Sequence, residues 1–343
     1  ASDVYKRQEP IGEKGFAFSK KHFKSLLNTA QDLKVNFIRA SHYPYTRYIS
    51  QLCDELGILL WEEIPVYWNI NWSNAETKTS AKTMLTQMIH RDWNRASVII
   101  WSIGNETPFS DARMDFMIDL KETAEGLDSS RLISAALLSG SVEQFRSLTY
   151  FLAKEGLKHS FVSDYEKAIF KQILTQLQPL YGSMDAFEID IKDPLAEHLD
   201  VIAYNEYFGW YYTSFIVDQL GVEESTLRKL MFKLMPSIKI ESQYKKPIHL
   251  SEFGAGAKRN FKADGGIWSE EYQEDVYRHQ LEMIQNNDQI QGLSPWILKD
   301  FRSMMRPLAG VQDFYNRKGL VDEDGKKKKA FKVLQQFYQD GWE

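Results

Sequence analysis

Only one cysteine, Cys53, occurs in the chain, so no internal disulfide can form, and its place on an apolar helix face gives it a packing role. Cysteine usage therefore leaves the compartment undecided between cytoplasm and periplasm. No run of about eighteen apolar residues exists, so no transmembrane helix is expected. The first residues lack the basic-then-apolar pattern of a signal peptide. Neither sign of charge prevails: 42 basic and 47 acidic residues leave a net −5, too mild to point to nucleic acid or an anionic membrane as partner. The seven histidines are scattered without His-x-x-x-His or other ligand spacing, so neither a metal nor a cofactor is expected.

Aromatic residues are plentiful, with nine Trp, seventeen Tyr and twenty Phe. Sugar-binding sites use such rings as apolar platforms, but large cores use them as well. The length suffices for one large domain or two ordinary ones.

Strand and helix patterns alternate along the chain. Ser19 is placed to cap a helix with Phe23, Leu26, Leu27, Ala30 and Leu33 on one face, and Asn36–Ala40 reads as the strand after it. A helix carrying Ile49, Leu52, Cys53 and Leu56 stops at Gly57, and Ile58–Trp61 is the next strand. An aromatic loop with Tyr67, Trp68 and Trp72 follows, then a helix from about Ser80. Ser110 caps a helix to about Leu127, and Leu132–Ser134 makes a strand. Residues 139–198 break the rhythm with a helical pattern and no clear strand, which reads as an insertion shaping the site face of a barrel. The alternation resumes with Val201–Tyr204, a helix near Glu223–Met235, Ile248–Glu252, a helix from about Ser269, a last strand at Leu293–Trp296 and a closing helix over Ala330–Tyr338. The basic run Lys326–Lys329 reads as a solvated turn.

Such alternation implies a parallel sheet with helical crossovers. Seven strands are counted where a closed (β/α)8 barrel needs eight. The eighth would precede Ser19, yet residues 1–8 fit nothing downstream, so the chain reads as an α/β TIM barrel truncated at its N-terminus. An open doubly wound sheet is the rival, but no glycine-rich phosphate turn follows any strand.

Two stretches share one design. Val98-Ile99-Ile100-Trp101-Ser102-Ile103-Gly104-Asn105-Glu106 is a buried β-branched strand followed by a carboxylate. Ile248-His249-Leu250-Ser251-Glu252-Phe253-Gly254 repeats it. Carboxylates at the C-terminal ends of barrel strands sit where such folds keep their chemistry. Glycosidic cleavage needs two: one to protonate the leaving oxygen and one to meet positive charge at the anomeric carbon.

The flanks add a resemblance. Ser41-His42-Tyr43-Pro44, Cys53-Asp54-Glu55-Leu56-Gly57, Trp101 through Glu106 and Ser251-Glu252-Phe253-Gly254 together look like the catalytic barrel of glycoside hydrolase family 2, whose members include β-galactosidases, β-glucuronidases and β-mannosidases. The resemblance covers the chain from about Gly15, the helical segment excepted. It implies that Glu106 is the general acid/base, Glu252 the nucleophile of a retaining mechanism, and Asn105 a hydrogen-bonding partner of the sugar 2-hydroxyl. Asn205-Glu206-Tyr207-Phe208-Gly209-Trp210-Tyr211 resembles the β-glucuronidase sugar-binding segment. That likeness implies substrate-binding roles for Asn205, Tyr207, Trp210 and Tyr211. Trp296 matches a floor tryptophan. Asn316-Arg317-Lys318 matches the Asn-x-Lys motif that grips a uronic carboxylate, with Arg302 and Arg306 just upstream to assist. Arg39 and His42 become residues of the site wall.

The resemblance thus implies a retaining exo-acting β-glucuronidase acting on carbohydrate. It also implies upstream sugar-binding and immunoglobulin-like domains that this chain lacks, 1–343 being a single barrel domain, and a homo-oligomer is open for the longer protein. A β-galactosidase of the same family is the first alternative. A non-catalytic carbohydrate-binding barrel is the second.

Overall fold

A computed structural model describes residues 19–138, 140–211 and 220–341; the strand expected before Ser19 lies outside them. Seven parallel strands form one sheet in the order β1-β2-β3-β4-β6-β8-β9. They are β1 (Phe37–Ala40), β2 (Leu59–Glu63), β3 (Val98–Asn105), β4 (Leu132–Leu137), β6 (Val201–Asn205), β8 (Ile248–Glu252) and β9 (Ile290–Leu293). The sheet curls: the ring of Phe37 on β1 stands 5.1 Å from His249 on β8, five places away in strand order. Trp61, Ile100, Ala136 and Ala203 pack inside the curve. Among the described residues this is a curled parallel half-barrel with helical crossovers, the (β/α)8-type architecture the alternation predicts. Its two end strands, β1 and β9, flank a cavity of about 130 Å³ lined by Phe37, Ile38, Leu293 and Trp296.

The crossover helices α1 (Lys20–Asp32), α2 (Tyr48–Leu56), α3 (Ala75–Asp92) and α4 (Asp111–Leu127) cover the outer face. Side-chain oxygens of Ser19, Asn74 and Ser110 accept from the third residue of α1, α3 and α4, satisfying donors the helix leaves open. Gly57 closes α2 at φ 68°, a left-handed position that suits glycine. Helix α3 thus begins at Ala75 and not near Ser80. Asn74 sets its start, and its first turn is too polar to show apolar periodicity.

Beyond β4 come α5 (Val142–Gly156), α6 (Asp164–Tyr181), strand β5 (Glu188–Asp190) and α7 (Leu195–His198). The strandless reading of this segment is corrected. Strand β5 pairs in parallel with β7 (Lys239–Glu241) as a separate two-stranded sheet, and with only Ile189 buried between two exposed carboxylates it is too short to show a period. Helix α8 (Glu224–Leu234) precedes β7, α9 (Glu270–Gln285) leads to β9, and α10 (Lys329–Asp340) closes the chain. Strands β10 (Phe301–Arg302) and β11 (Tyr315–Asn316) form a two-residue antiparallel pair.

Two further expectations change. The last sheet strand is Ile290–Leu293, not Leu293–Trp296, because Pro295 has no N–H for a ladder; Trp296 instead donates its backbone N–H to Phe253 across 2.9 Å. Lys328, read as part of a solvated turn, is buried. Its ammonium reaches Asp300 at 2.8 Å and the carbonyls of Ala257 and Arg317, since a buried ammonium must be both paired and hydrogen-bonded.

Candidate active site

The C-terminal ends of β1, β2, β3, β6 and β8 converge on one buried polar network. Glu106 follows β3 with φ 49°, a conformation that side chains other than glycine adopt at a cost of about 1–3 kcal/mol. Its backbone N–H donates to Ala136 at 2.8 Å. Asn205 Nδ2 donates to its Oε1 at 3.0 Å and Trp68 Nε1 to its Oε2 at 2.7 Å. Burial raises the pKa of Glu106, and the nearby charge of Glu252 raises it further. A carboxyl group so placed keeps its proton to a higher pH than an exposed one.

Glu252, the last residue of β8, receives different partners. Arg39 Nη1 donates to its Oε1 at 2.9 Å, and the Tyr207 hydroxyl donates to its Oε2 at 2.7 Å. Burial keeps the Tyr207 phenol protonated far up the pH scale, with the charge of Glu252 adding to the effect. Both of its oxygens are thereby held by donors from other segments, which fixes the orientation of the carboxylate. Gly254, two residues on, has φ 120°, and a Cβ there would stand 2.3 Å from the Tyr277 hydroxyl. Glycine is therefore required where the chain leaves the strand.

Glu63 at the end of β2 joins these parts. Arg39 holds it through Nε and Nη2, and Trp61 Nε1, Ser102 Oγ and His42 Nδ1 all reach its carboxylate within 3.2 Å. Burial would raise the Glu63 pKa, but Arg39 and His42 outweigh it and hold the group below the usual carboxylate range. Arg39 Nη2 also donates to Asn105 Oδ1 at 2.7 Å, and Asn205 Nδ2 approaches that same oxygen at 3.2 Å. Asn105 Nδ2 is buried without a hydrogen-bond partner among the described residues. An unmatched buried donor beside two carboxylates is a place for a ligand oxygen.

Aromatic rings wall the site. Trp296 stacks on His42 at 4.9 Å, His42 on Tyr67 at 4.7 Å, and Tyr67 on Trp68 at 4.5 Å. Beyond Tyr207 lies a second group. The Lys318 ammonium lies 4.8 Å from the Tyr207 ring centroid and 4.3 Å from that of Tyr211, and it donates to the Tyr211 hydroxyl. Arg306 Nη2 reaches the same hydroxyl at 3.4 Å. Burial raises the Tyr211 phenol pKa, but Lys318 and Arg306 outweigh it and bring it below its ordinary value. Burial lowers the Lys318 pKa. Among the described residues neither cation forms an ion pair with a carboxylate. They line a cavity of about 220 Å³ with Trp210, Tyr211, Trp268 and Asn316. Asn316 Oδ1 accepts from the Lys318 backbone N–H at 3.1 Å, which shapes the turn that carries the lysine.

The structure thus brings Glu106, Glu252, Asn105, Asn205, Tyr207, Arg39, His42 and Trp296 into one network. Tyr211, Asn316, Lys318 and Arg306 adjoin it through Tyr207. Trp210 packs edge-on against Trp268 at 4.8 Å and lines the second cavity beside Lys318 and Arg306. Arg302 lies exposed in β10. Sequence reasoning gave no role to Glu63, Tyr67 or Trp68. The available signal was Glu62-Glu63 at the end of β2, a carboxylate at a strand terminus like the other two. Among the described residues no cluster of His, Cys, Asp and Glu could hold a metal ion.

Residues 5–167 match the profile "Glycosyl hydrolases family 2, TIM barrel domain". The chain is 27% identical over 348 residues to a provisionally named β-glucuronidase of Formosa agariphila, covering 97% of this chain and 36% of that protein. A shorter stretch of 101 residues is 40% identical to a β-galactosidase of Thermoanaerobacterium thermosulfurigenes, covering 29% of this chain and 13% of the other. The fold superposes on a family 2 β-galacturonidase from Eisenbergiella tayi bound to galacturonate with TM-score 0.70 and 24% identity, covering 98% of this chain and 50% of that one. The chain spans half the length or less of these relatives.

Proposed function

We propose that this chain, whose residues 5–167 match the TIM-barrel domain profile of glycosyl hydrolase family 2, belongs to that family and cleaves terminal β-D-glucuronides with retention of configuration. The observation that carries the choice of glycone is the pair Lys318 and Arg306, two cations converging on the Tyr211 hydroxyl with no carboxylate partner among the described residues. A cation without a counter-charge in a buried wall favours an anionic ligand, and a uronic C6 carboxylate supplies one.

In the proposed reaction an oxygen of Glu252 attacks the anomeric carbon as the bond to the leaving oxygen breaks. Glu106 gives its proton to that oxygen. Water then attacks the glycosyl ester, returns a proton to Glu106 and frees Glu252. The neighbours fit this division of work. Glu106 is held toward its protonated form by burial and by Glu252, while Arg39 and Tyr207 donate to Glu252. The unmatched Asn105 Nδ2 is the donor proposed for the sugar 2-hydroxyl, a contact that can strengthen in the transition state.

Labelling the full chain with a fluorinated activated glucuronide, followed by peptide mapping, tests the mechanism: an adduct on Glu252 supports it, and no burst and no adduct in folded protein favour a binding barrel. Matched phenyl glucuronide and phenyl galactoside test the glycone. The segment 40% identical to a β-galactosidase keeps the galactoside reading open. Faster turnover of the galactoside, or equal loss of both activities in Lys318→Ala, would overturn the carboxylate assignment.

A further inference from the structure

Trp68 is the outer member of the four-ring stack, and beyond its hydrogen bond to Glu106 the proposed sugar chemistry gives its ring face no task. Tyr67 covers one face of it at 4.5 Å and 22°, yet Trp68 remains 40% exposed. Its backbone has φ 57°, a strained setting for a bulky side chain that the surroundings must enforce. They do so through main-chain bonds to the strand that carries Glu106: Trp68 N–H donates to Asn105 O at 3.0 Å and Asn105 N–H to Val66 O at 2.8 Å. The indole N–H then reaches Glu106 Oε2 at 2.7 Å.

We infer that Trp68 is the platform for the leaving group, and that this group presents a flat, uncharged, apolar face: an aromatic ring, or the C–H face of a following sugar. The inference rests on the reading of Glu106 as the acid, because the oxygen it protonates is the atom joining sugar to leaving group. Whatever hangs from that oxygen must pass beside the ring in contact with Glu106. The neighbouring loops agree in character. Phe109, three residues after Glu106, is 60% exposed, and Leu138, just beyond β4, is 49% exposed. Strands β2, β3 and β4 are adjacent in the sheet, so these three apolar side chains follow neighbouring strand ends on the Glu106 side. Isolated apolar surface residues are ordinary; three that follow adjacent strand ends give this side of the site an apolar character.

Non-hydrolysable thioglycosides separate binding from chemistry. Inhibition constants of phenyl and methyl 1-thio-β-glucuronide, and of a thio-linked glucuronyl-glucose, are measured on the full chain, on Trp68→Ala and on Trp68→Phe. An aromatic stacking partner is worth roughly three- to tenfold in binding, so Trp68→Ala weakens the phenyl compound by that factor and the methyl compound by less than twofold. Trp68→Phe, which keeps a flat ring and loses the N–H, retains most of the phenyl preference. Weakening of the phenyl compound alone identifies an aromatic leaving group; weakening of the disaccharide as well identifies any flat apolar face. Equal weakening of phenyl and methyl compounds, or none, overturns the platform. If the parent chain binds thiogalactosides in place of thioglucuronides, the glycone reading fails while the same phenyl-to-methyl comparison still decides the role of Trp68.

Discussion

Arg39 on β1 and Glu252 on β8 meet at 2.9 Å although 213 positions separate them in sequence. The contact exists because the sheet curls until strands five places apart face each other. It also makes Arg39 a shared cation, since its other nitrogens hold Glu63 and Asn105. Each buried charge costs several kcal/mol unless paired with good geometry. Here one guanidinium, further assisted by His42 beside Glu63 at 3.0 Å, offsets two carboxylates and fixes the direction from which Glu252 faces the site.

Glu63 is therefore expected to act on catalysis through Arg39 without touching substrate. Glu63→Gln keeps the shape but points an amide N–H₂ at donors already in place, and Arg39 loses the charge that anchors it. A displacement of about 1 Å in a reacting group can cost about 10²-fold in rate, so kcat falls by that order while KM changes little. Glu63→Ala leaves Arg39 half-paired and lowers the unfolding free energy by about 3–5 kcal/mol, read from the urea midpoint. A Glu63→Gln enzyme with unchanged kcat would remove the positioning role.

The proton of Glu106 matters in proportion to the basicity of the leaving group. General acid assistance contributes about 10²–10⁴-fold, so Glu106→Ala should lose that factor on phenyl glucuronide and far less on a dinitrophenyl glucuronide, whose phenolate leaves unaided. Glu252→Ala should abolish turnover of both. Rates measured on the two substrates check this, and an equal loss in Glu106→Ala would deny Glu106 the acid role.

How much of this was legible beforehand follows from the range of the forces involved. The strands carrying Glu106 and Glu252 announced themselves because a strand buried on both faces must be apolar throughout, and a carboxylate breaking such a run is conspicuous. The ends of α1, α2 and α4 were readable for the same local reason, since Ser19, Gly57 and Ser110 satisfy or close their own helices. The role of Glu63 was not, because its partners Arg39, His42 and Ser102 come from two other segments and nothing local distinguishes it from Glu62. Lys328 was misread for a related reason: beside Lys326, Lys327 and Lys329 it looks like one of a solvated run, and only the placement of Asp300 some 28 positions away makes it buried.

Glu206 offers a test of stability that leaves both proposed reacting carboxylates in place. It is buried, accepts from Phe208 N–H at 2.7 Å and from Gln280 Nε2 at 3.1 Å, and burial pushes its pKa from 4.5 up to about 8. Between those values the folded state keeps a proton that the unfolded state has lost. Stability from this group is therefore full below pH 4.5 and falls as pH rises toward 8. Glu206→Gln cannot ionise, although its amide N–H₂ opposes one of those donors, so its stability relative to the parent should rise by a few kcal/mol between pH 5 and pH 8. Urea midpoints across that range decide the matter, and a constant difference between the two proteins would contradict it.

Lys318 and Arg306 should discriminate between substrates that differ only at C6. Truncating one partner of a buried charge pair costs about 2–5 kcal/mol, so Lys318→Ala should lower kcat/KM for phenyl glucuronide by roughly 30- to 4 × 10³-fold and leave phenyl galactoside within a few-fold. Arg306 lies 3.4 Å from the Tyr211 hydroxyl, the atom that Lys318 also contacts. The two cations thus share a neighbour, and their effects should not add: the double variant loses less than the product of the single losses. Because burial lowers the Lys318 pKa, its charge is lost at a lower pH than that of an exposed lysine. In the free enzyme, kcat/KM for the glucuronide should then fall on the alkaline side while the galactoside shows no such limb from this group. Two pH profiles that superpose would place the anion elsewhere, and with it the physical basis for preferring a uronic sugar.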